Sequence, residues 1–428
     1  MKNYIKSVVI RGLWEVKNIN VDFNEDVNIL IGGNGSGKTT FLRIVESLLN
    51  VDLGAIEDII FVEVEMEIQN DDEVNKLIVQ RLMEDNVTPV YRYILPDGEI
   101  VEVRNSDGRV MYRSRMASRS IYQHLKEKLG DLVKVSWLSI NRISENIDRI
   151  DRRAYDSFRT DVDLKLNILM NQIISYRLQL ETKVNERTGK FNEEIVSLLL
   201  YNQEYDSLPK YNQIQKLKSY TKEEIITELH KVFSYFGNPR VHSEDIEKHA
   251  EMINAVVEKI NSADGRFSAE EMLSLSLMNR TVAILGLSAD YQREKAKILE
   301  PINMYLSIVS QYLRDKRIEL NATTSELIPH VQIGTGKEKP LVVNSLSSGE
   351  KQLLILLTET LLQQSQPYIF IADEPELSLH IEWQRNLVNS IRSLNPNAQI
   401  IFATHAPEIA ANHPKKLINM LKVTTYAE

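Results

Sequence analysis

The stretch VNILIGGNGSGKTT, Val27 to Thr40, constrains this chain more than any other. Its apolar run, Val27 to Ile31, reads as a buried strand, and FLRIVESLL after Thr40 reads as a helix. Between them Gly32, Gly37, Lys38 and Thr39 satisfy G-x-x-x-x-G-K-[ST] in full. Glycines let backbone N–H groups close on phosphate at the positive end of a helix. On this reading Gly32, Asn34, Gly35, Ser36, Gly37, Lys38, Thr39 and Thr40 form a nucleotide site. Lys38 reaches the β- and γ-phosphates of ATP, and the Thr39 hydroxyl is a ligand of Mg2+. The alternation of strand and helix around the loop makes an α/β fold the expectation.

A second stretch, VVNSLSSGEKQLLILLTETLLQQSQPYIFIADEPELSLH, needs the first to be understood. A polar turn, Leu346-Ser347-Ser348-Gly349-Glu350, opens an apolar helix, and a later strand runs straight into Asp373-Glu374. Beside a complete phosphate loop, Asp373 reads as the carboxylate that holds the magnesium shell. Glu374 reads as the group that polarises the attacking water. In NAQIIFATHAPEI a third apolar strand, Gln399 to Ala403, ends in Thr404-His405, which places His405 for the γ-phosphate. The Ser347 turn, with its helix N-terminus, is a second anion site. Lys38 already holds the phosphates of this chain's own nucleotide, so Ser347, Gly349 and Glu350 are expected to serve the nucleotide of another subunit.

The order phosphate loop, LSSGE, FIADEP, ATH resembles the ABC-type ATPases, and within them the RecF, SMC and OLD-like branch. Ser347 and Gly349 match the signature motif, Asp373 and Glu374 the Walker B pair, His405 the switch histidine, and EPELSLH the D-loop. The resemblance implies an ATPase head with a P-loop sheet core and an antiparallel β subdomain. It also implies a homo-oligomer, at least a head-to-head dimer, in which two heads sandwich two ATP molecules. Two departures stand out: Ser348 and Glu350 replace residues usual in transporters, and no clear Q-loop glutamine follows the early strands. VSWLSINR, Val135 to Arg142, occupies that place.

The resemblance divides the chain into residues 1–150, the N-terminal half of the head, and 323–428, its C-terminal half. In the first half, Val62, Val64, Met66 and Ile68 alternate with Glu63, Glu65 and Glu67 as in a half-exposed strand. Two Asp-Gly turns, Asp97-Gly98 and Asp107-Gly108, predict an antiparallel meander. Residues 151–322 read as a helical insertion. Leu166, Met170, Ile173, Leu180 and Val184 recur at helical steps, and Thr221…Glu224 and Ser268…Glu271 read as capping boxes. The heptad pattern breaks at RTGKF, so a helix over 160–188, about 40 Å at 1.5 Å per residue, is expected in a lobe or short coiled-coil hairpin. DVD at Asp161–Asp163 reads as a helix cap rather than a metal site.

Composition narrows the function. The chain has no cysteine, which removes thiolate and disulfide chemistry and fits a cytoplasmic protein. No apolar run is long enough to span a membrane. The net charge of −9 leaves nucleic-acid contact to local patches such as Arg104, Arg109, Arg113, Arg115 and Arg119, or Arg142, Arg149, Arg152 and Arg153. For these a solvated face is the preferred reading. No nuclease module is evident, so the ATP cycle is expected to act on a separate protein. The resemblance extends to stand-alone ATPases of bacterial anti-phage defence systems, the PARIS type first and the Septu and retron-associated types next. It implies a separately encoded nuclease effector and a DNA or phage-protein trigger. A RecF-like repair ATPase that clamps DNA as an ATP-dependent dimer is the alternative; a transporter subunit is disfavoured by the helical insertion.

Overall fold

The computed structural model describes residues 3–84, 88–104, 112–138, 160–202, 220–236, 241–261, 269–321, 323–333 and 337–426. It is an α/β structure whose chain separates into two compact units, Met1–Ile174 with Met304–Glu428, and Ser175–Asn303. The second basic cluster, Arg109 and the Asp107-Gly108 turn lie outside the described residues.

The first unit is built on two large sheets. Strands β1 (Asn3–Leu13), β2 (Lys17–Asp22), β4 (Glu63–Asn70), β5 (Glu73–Glu84), β6 (Thr88–Ile94), β7 (Ile100–Arg104) and β15 (Thr424–Tyr426) form a seven-stranded sheet, antiparallel throughout, in the order β15-β2-β1-β4-β5-β6-β7. The parallel sheet holds β3 (Val27–Ile31), β8 (Val135–Leu138), β12 (Ile369–Asp373), β13 (Gln399–Ala403) and β14 (Leu417–Asn419) in the order β14-β3-β13-β12-β8. Central strands of a parallel sheet are covered on both faces, which is why VNILI, IFIAD and QIIFA are predominantly apolar. Asn28 and Gln399 are buried polar exceptions, and Gln399 has a structural task. Its buried amide accepts from Ile5 N at 2.9 Å and donates to Ile5 O and Asn24 O at 2.8 Å, bridging the two sheets.

Helix α1 (Lys38–Asn50) contributes Phe41, Leu42, Ile44, Val45, Leu48 and Leu49 to one core with both sheets. Helix α2 (Tyr112–Leu132) adds Leu125 and Leu129. The meander ends with β7, and the chain after the second Asp-Gly turn is helical from Tyr112, not a strand. Leu125, Leu129 and Leu132 recur at helical spacing and pack on the core, and that period decides the outcome. Strand β4 keeps the expected alternation at Val64, Met66 and Ile68, but Val62 precedes it and stands exposed.

A three-stranded antiparallel sheet, β9 (Lys316–Leu320), β10 (Leu327–Ile333) and β11 (Lys337–Pro340), completes this unit together with helices α7 (Ser348–Leu362), α8 (Ile381–Leu394) and α9 (Pro407–Ala411). Residues 316–320 were expected to be helical. They form β9 because only Ile318 turns inward, while the flanking charges pair across the strands, as Arg317 does with Glu338.

Helix α3 (Asp161–Ser197) is continuous through RTGKF, so it exceeds the expected span by about 12 Å at 1.5 Å per residue. Gly189 weakens a helix by about 1 kcal/mol. Tertiary contacts within the second unit offset this: Phe191 is fully buried against Tyr235 and Tyr291, and Thr188 Oγ1 lies 2.9 Å from Tyr291 Oη. Arg187 pairs with Glu194 and Glu294. At the start of α3 the cap is Thr160, whose Oγ1 accepts from Asp163 N at 3.2 Å. Asp163 shares in that cap, its Oδ2 accepting from Thr160 Oγ1 at 2.9 Å, while its Oδ1 accepts from Lys351 Nζ at 2.7 Å. The second unit also contains α4 (Lys222–Ser234), α5 (Ser243–Asn261) and most of α6 (Ala269–Tyr312). Its core joins Ile225 and Leu229 to Ile253 and Val256, and Thr221 with Glu224 forms the expected capping box. Ser268 lies outside the described residues. Among the described residues no helix is long and apolar enough to cross a membrane.

Candidate functional site

Three neighbouring parallel strands, β3, β13 and β12, end on the same edge of the sheet. The loops beyond carboxyl ends of such strands are where ligands bind in open α/β sheets. After β3 the chain turns through Gly35 and Gly37, at φ 77° and 91°, in the left-handed region that favours glycine. Gly37 is the N-cap of α1, and its carbonyl accepts from Phe41 N at 2.8 Å. Ser36 Oγ is buried there with no hydrogen-bond partner among the described residues, whereas Asn34 and Thr39 are exposed and Thr40 is half-buried. Lys38 is only 5% exposed. Its ammonium donates to Gly32 O at 2.8 Å and lies 2.9 Å from His405 Nε2.

Asp373 ends β12. Burial pushes its carboxyl above the ordinary range and the Glu376 charge adds to this, while the Thr39 hydroxyl and the Lys38 and Arg43 charges pull it back. Its Oδ1 is buried without a partner among the described residues. Glu374 follows at φ 49°, a strained value for glutamate, and its N–H donates to Ala403 O at 2.8 Å. Its carboxylate is exposed and lies 4.0 Å from His405 Nε2. The structure thus brings Lys38, Thr39, Asp373, Glu374 and His405 together from three strand ends.

Ser347, Gly349 and Glu350 are placed differently. Ser347 is the N-cap of α7, accepting from Glu350 N at 3.4 Å, while Glu350 accepts from Ser347 N at 2.8 Å. Burial alone would raise the Glu350 carboxyl; the Lys316 ammonium and the Ser347 groups outweigh it and hold it below its ordinary value. Gly349 faces the loop after Glu374 so closely that a Cβ would meet Ser378 O at 2.3 Å. Gln352 Nε2 donates to Pro375 O at 3.1 Å. The signature turn is therefore anchored on the loop of residues 374–379. None of the described hydrogen bonds joins it to the phosphate loop.

Sequence reasoning missed Lys316, Gln352 and Glu376. Glu376 Oε1 accepts from Thr404 Oγ1 at 2.6 Å, His405 N at 3.0 Å and Ala406 N at 3.1 Å. The one available signal was the repeated acid in DEPE, whose partners lie nearly thirty residues on.

A glycine loop at a helix N-terminus, a buried lysine, an acid pair and a histidine on adjacent parallel strand ends define a P-loop nucleotide hydrolase. The chain belongs to the AAA ATPase domain family, whose model matches residues 1–410, and it is an ATPase. It is 23% identical over 430 residues to the retron Vc95 probable ATPase of Vibrio cholerae serotype O1 biovar El Tor, covering 94% of this chain and 70% of that protein. The retron Ec83 probable ATPase of Escherichia coli is 29% identical over 154 residues, 32% of this chain and 28% of that one. Structural maintenance of chromosomes protein 3 of Saccharomyces cerevisiae is 21% identical over 446 residues, 92% of this chain and 34% of the yeast protein. Two of these three relatives are retron ATPases. Among solved structures, the Smc head domain of Pyrococcus furiosus bound to the C-terminal domain of ScpA covers 96% of this chain and 92% of its own. Its 15% identity and TM-score of 0.39 add nothing to the topology above.

Proposed function

We propose that this ATPase works in a bacterial anti-phage defence system as a homo-oligomer, forming composite ATP sites between subunits and controlling a separately encoded nuclease. The observation that carries the composite site is the split of the machinery. Lys38, Thr39, Asp373, Glu374 and His405 meet at one sheet edge, while Ser347 caps a helix tied to Pro375 and Lys316. The helix N-terminus at Ser347 then serves the γ-phosphate of a neighbouring subunit. The names of the two retron relatives support the defence setting.

Magnesium fits the residues present. The orphaned Asp373 Oδ1 is a buried acceptor awaiting a cation or its water, and Thr39 supplies a hydroxyl beside it. Among the described residues no group of three His, Cys, Asp or Glu is arranged to hold a metal, so the ion's remaining ligands would be phosphate and water. Bound there, Mg2+ would neutralise charge on the β- and γ-phosphates. Lys38 balances the same phosphates, and Glu374 orients the attacking water.

Glu374→Gln tests this reading. It keeps the shape and removes the carboxylate, a loss that typically costs about 10²–10⁴-fold in rate. Expressed with its neighbouring genes, the variant should hold ATP, stay oligomeric and retain a nuclease more firmly than the parent. Salt-sensitive retention of DNA without a protein partner would favour the repair clamp instead. A monomer with bound ATP and no partner would overturn the proposal.

A further inference from the structure

We propose that Glu376 is the positioning residue of the hydrolysis site: its carboxylate fixes the Thr404–Ala406 turn, and through it His405. This rests on the ATPase activity and the site geometry, and it stands whether or not the site is shared between subunits.

The need for an anchor follows from how each group is carried. Lys38 rides on the first turn of α1, and Glu374 is tied by its own N–H to Ala403 O. His405 has no such support, because β13 ends at Ala403 and α9 begins only at Pro407. Thr404 is held by its N–H to Leu30 O at 3.2 Å, but the His405 N–H points away from the sheet ladder and finds Glu376. One oxygen, Oε1, collects the Thr404 hydroxyl and the N–H groups of His405 and Ala406. Hydrogen bonds to a carboxylate are roughly twice as strong as neutral ones. Thr404 is 2% exposed, so without Glu376 its hydroxyl would sit among buried groups with little water to replace the bond. The product of this arrangement is the placement of His405 Nε2, 2.9 Å from Lys38 Nζ and 4.0 Å from Glu374 Oε1. Glu376 touches neither of those groups through any described hydrogen bond.

The geometry also says what the carboxylate must supply. Three donors converge on Oε1, while Oε2 is buried without a partner among the described residues. A glutamine at this position would have to turn its carbonyl oxygen toward the three donors. Its NH2 would take the Oε2 place, where no donor opposes it. The function required is an acceptor at one point, and the negative charge is secondary.

The test is a steady-state ATPase series on the full chain with Glu376→Ala, Glu376→Gln, Thr404→Val and the Glu376→Ala/Thr404→Val double variant. Misplacing a reacting group by about 1 Å costs on the order of 100-fold, so Glu376→Ala should lower kcat by about that factor. The KM for ATP should move less than about threefold, because the phosphate loop is untouched. Glu376→Gln should recover kcat to within about tenfold of the parent. The double variant should be no worse than Glu376→Ala, since both remove one unit. Parental kcat in Glu376→Ala overturns the proposal. So does a Glu376→Gln protein as slow as Glu376→Ala, which would make the charge itself the essential property. If Glu376→Ala does not fold, Thr404→Val decides: it leaves the His405 and Ala406 N–H groups on Glu376 but removes the hydroxyl that donates to Glu376 and accepts from Ala406 N at 2.9 Å, and an unchanged kcat there also overturns the assignment.

Discussion

Replacing Gly349 by alanine isolates the contact between helix α7 and the loop that carries Glu374 and Glu376. A Cβ on residue 349 would lie 2.3 Å from Ser378 O and 3.3 Å from Ser378 C. Carbon and carbonyl oxygen ordinarily approach to about 3.3 Å, so α7 or the 374–379 loop must retreat by roughly 1 Å. Both partners are backbone, and no side chain can swing aside. Overpacking of this kind costs about 1–3 kcal/mol, of which at most about 1 kcal/mol returns through alanine's better helix propensity. Glu374 and Glu376 ride on the displaced loop, so kcat should fall by on the order of 100-fold. Denaturant unfolding and steady-state ATPase assays on the same preparation would measure both effects. Gly130→Ala is the matched control, also in a helix but with nothing within 4 Å of its Cβ. It should be neutral or stabilising by up to about 1 kcal/mol. A Gly349→Ala protein that unfolds and turns over like the parent would refute the close-contact reasoning.

Four further outcomes are expected. Lys38→Ala should abolish ATP binding in a fluorescent-nucleotide titration, because no other described cation donates to Gly32 O in the phosphate loop; parental affinity would remove the site assignment. Ser347→Arg should leave ATP binding intact and stop hydrolysis, and mixing it with Lys38→Ala chains should restore at most half of the composite sites. Glu374→Gln should show its rate loss in single-turnover experiments as well as at steady state, placing the defect before product release. His249, whose ring is held neutral by burial and lies 2.9 Å from Thr281 Oγ1, sits below its ordinary 6.5. A depressed histidine contributes stability that is full above pH 6.5 and lost as pH falls toward the folded value. Hydrogen exchange in α5 should accelerate on acidification through that window, and His249→Gln should flatten the response.

The phosphate loop, the acid pair and the Thr-His strand end were legible because each is local: an apolar run, then polar residues whose conformation the run dictates. The capping box at Thr221 was legible for the same reason, since partner and cap are three residues apart; the Ser347 box has the same spacing but reads from sequence only as an anion site. What escaped depends on contacts between distant segments. RTGKF looks like a helix stop until Phe191 meets Tyr235 and Tyr291. DVD reads as a cap, and Asp163 takes part in one, but its second partner, Lys351, comes from a distant segment that the local pattern does not reveal. Glu376 looks like one more surface acid of the EPELSLH segment, because nothing near it in sequence reveals three donors arriving from residues 404–406. Strand β9 was lost inside a charged helical-looking stretch, where a single inward Ile318 is too little pattern to read.

The pairing of β3 with β13 and β14 has a consequence for how the protein comes into being on the ribosome. The strand that launches the phosphate loop, at residues 27–31, is made long before both of its neighbours, at residues 399–403 and 417–419. At a synthesis rate of about 5–20 residues per second, β3 waits on the order of 20–70 s with both edges bare. Through that interval an apolar pentapeptide with open hydrogen-bonding edges is a template for wrong partners. Closing so long a separation adds little entropy beyond that of a shorter loop, but it makes the step slow and late. A nascent or prematurely released chain therefore has the glycine loop but no sheet edge to hold it. Nucleotide turnover is expected only once β13 and β14 have been made, and chaperone dependence of yield, rather than of activity per folded molecule, would be its cellular signature.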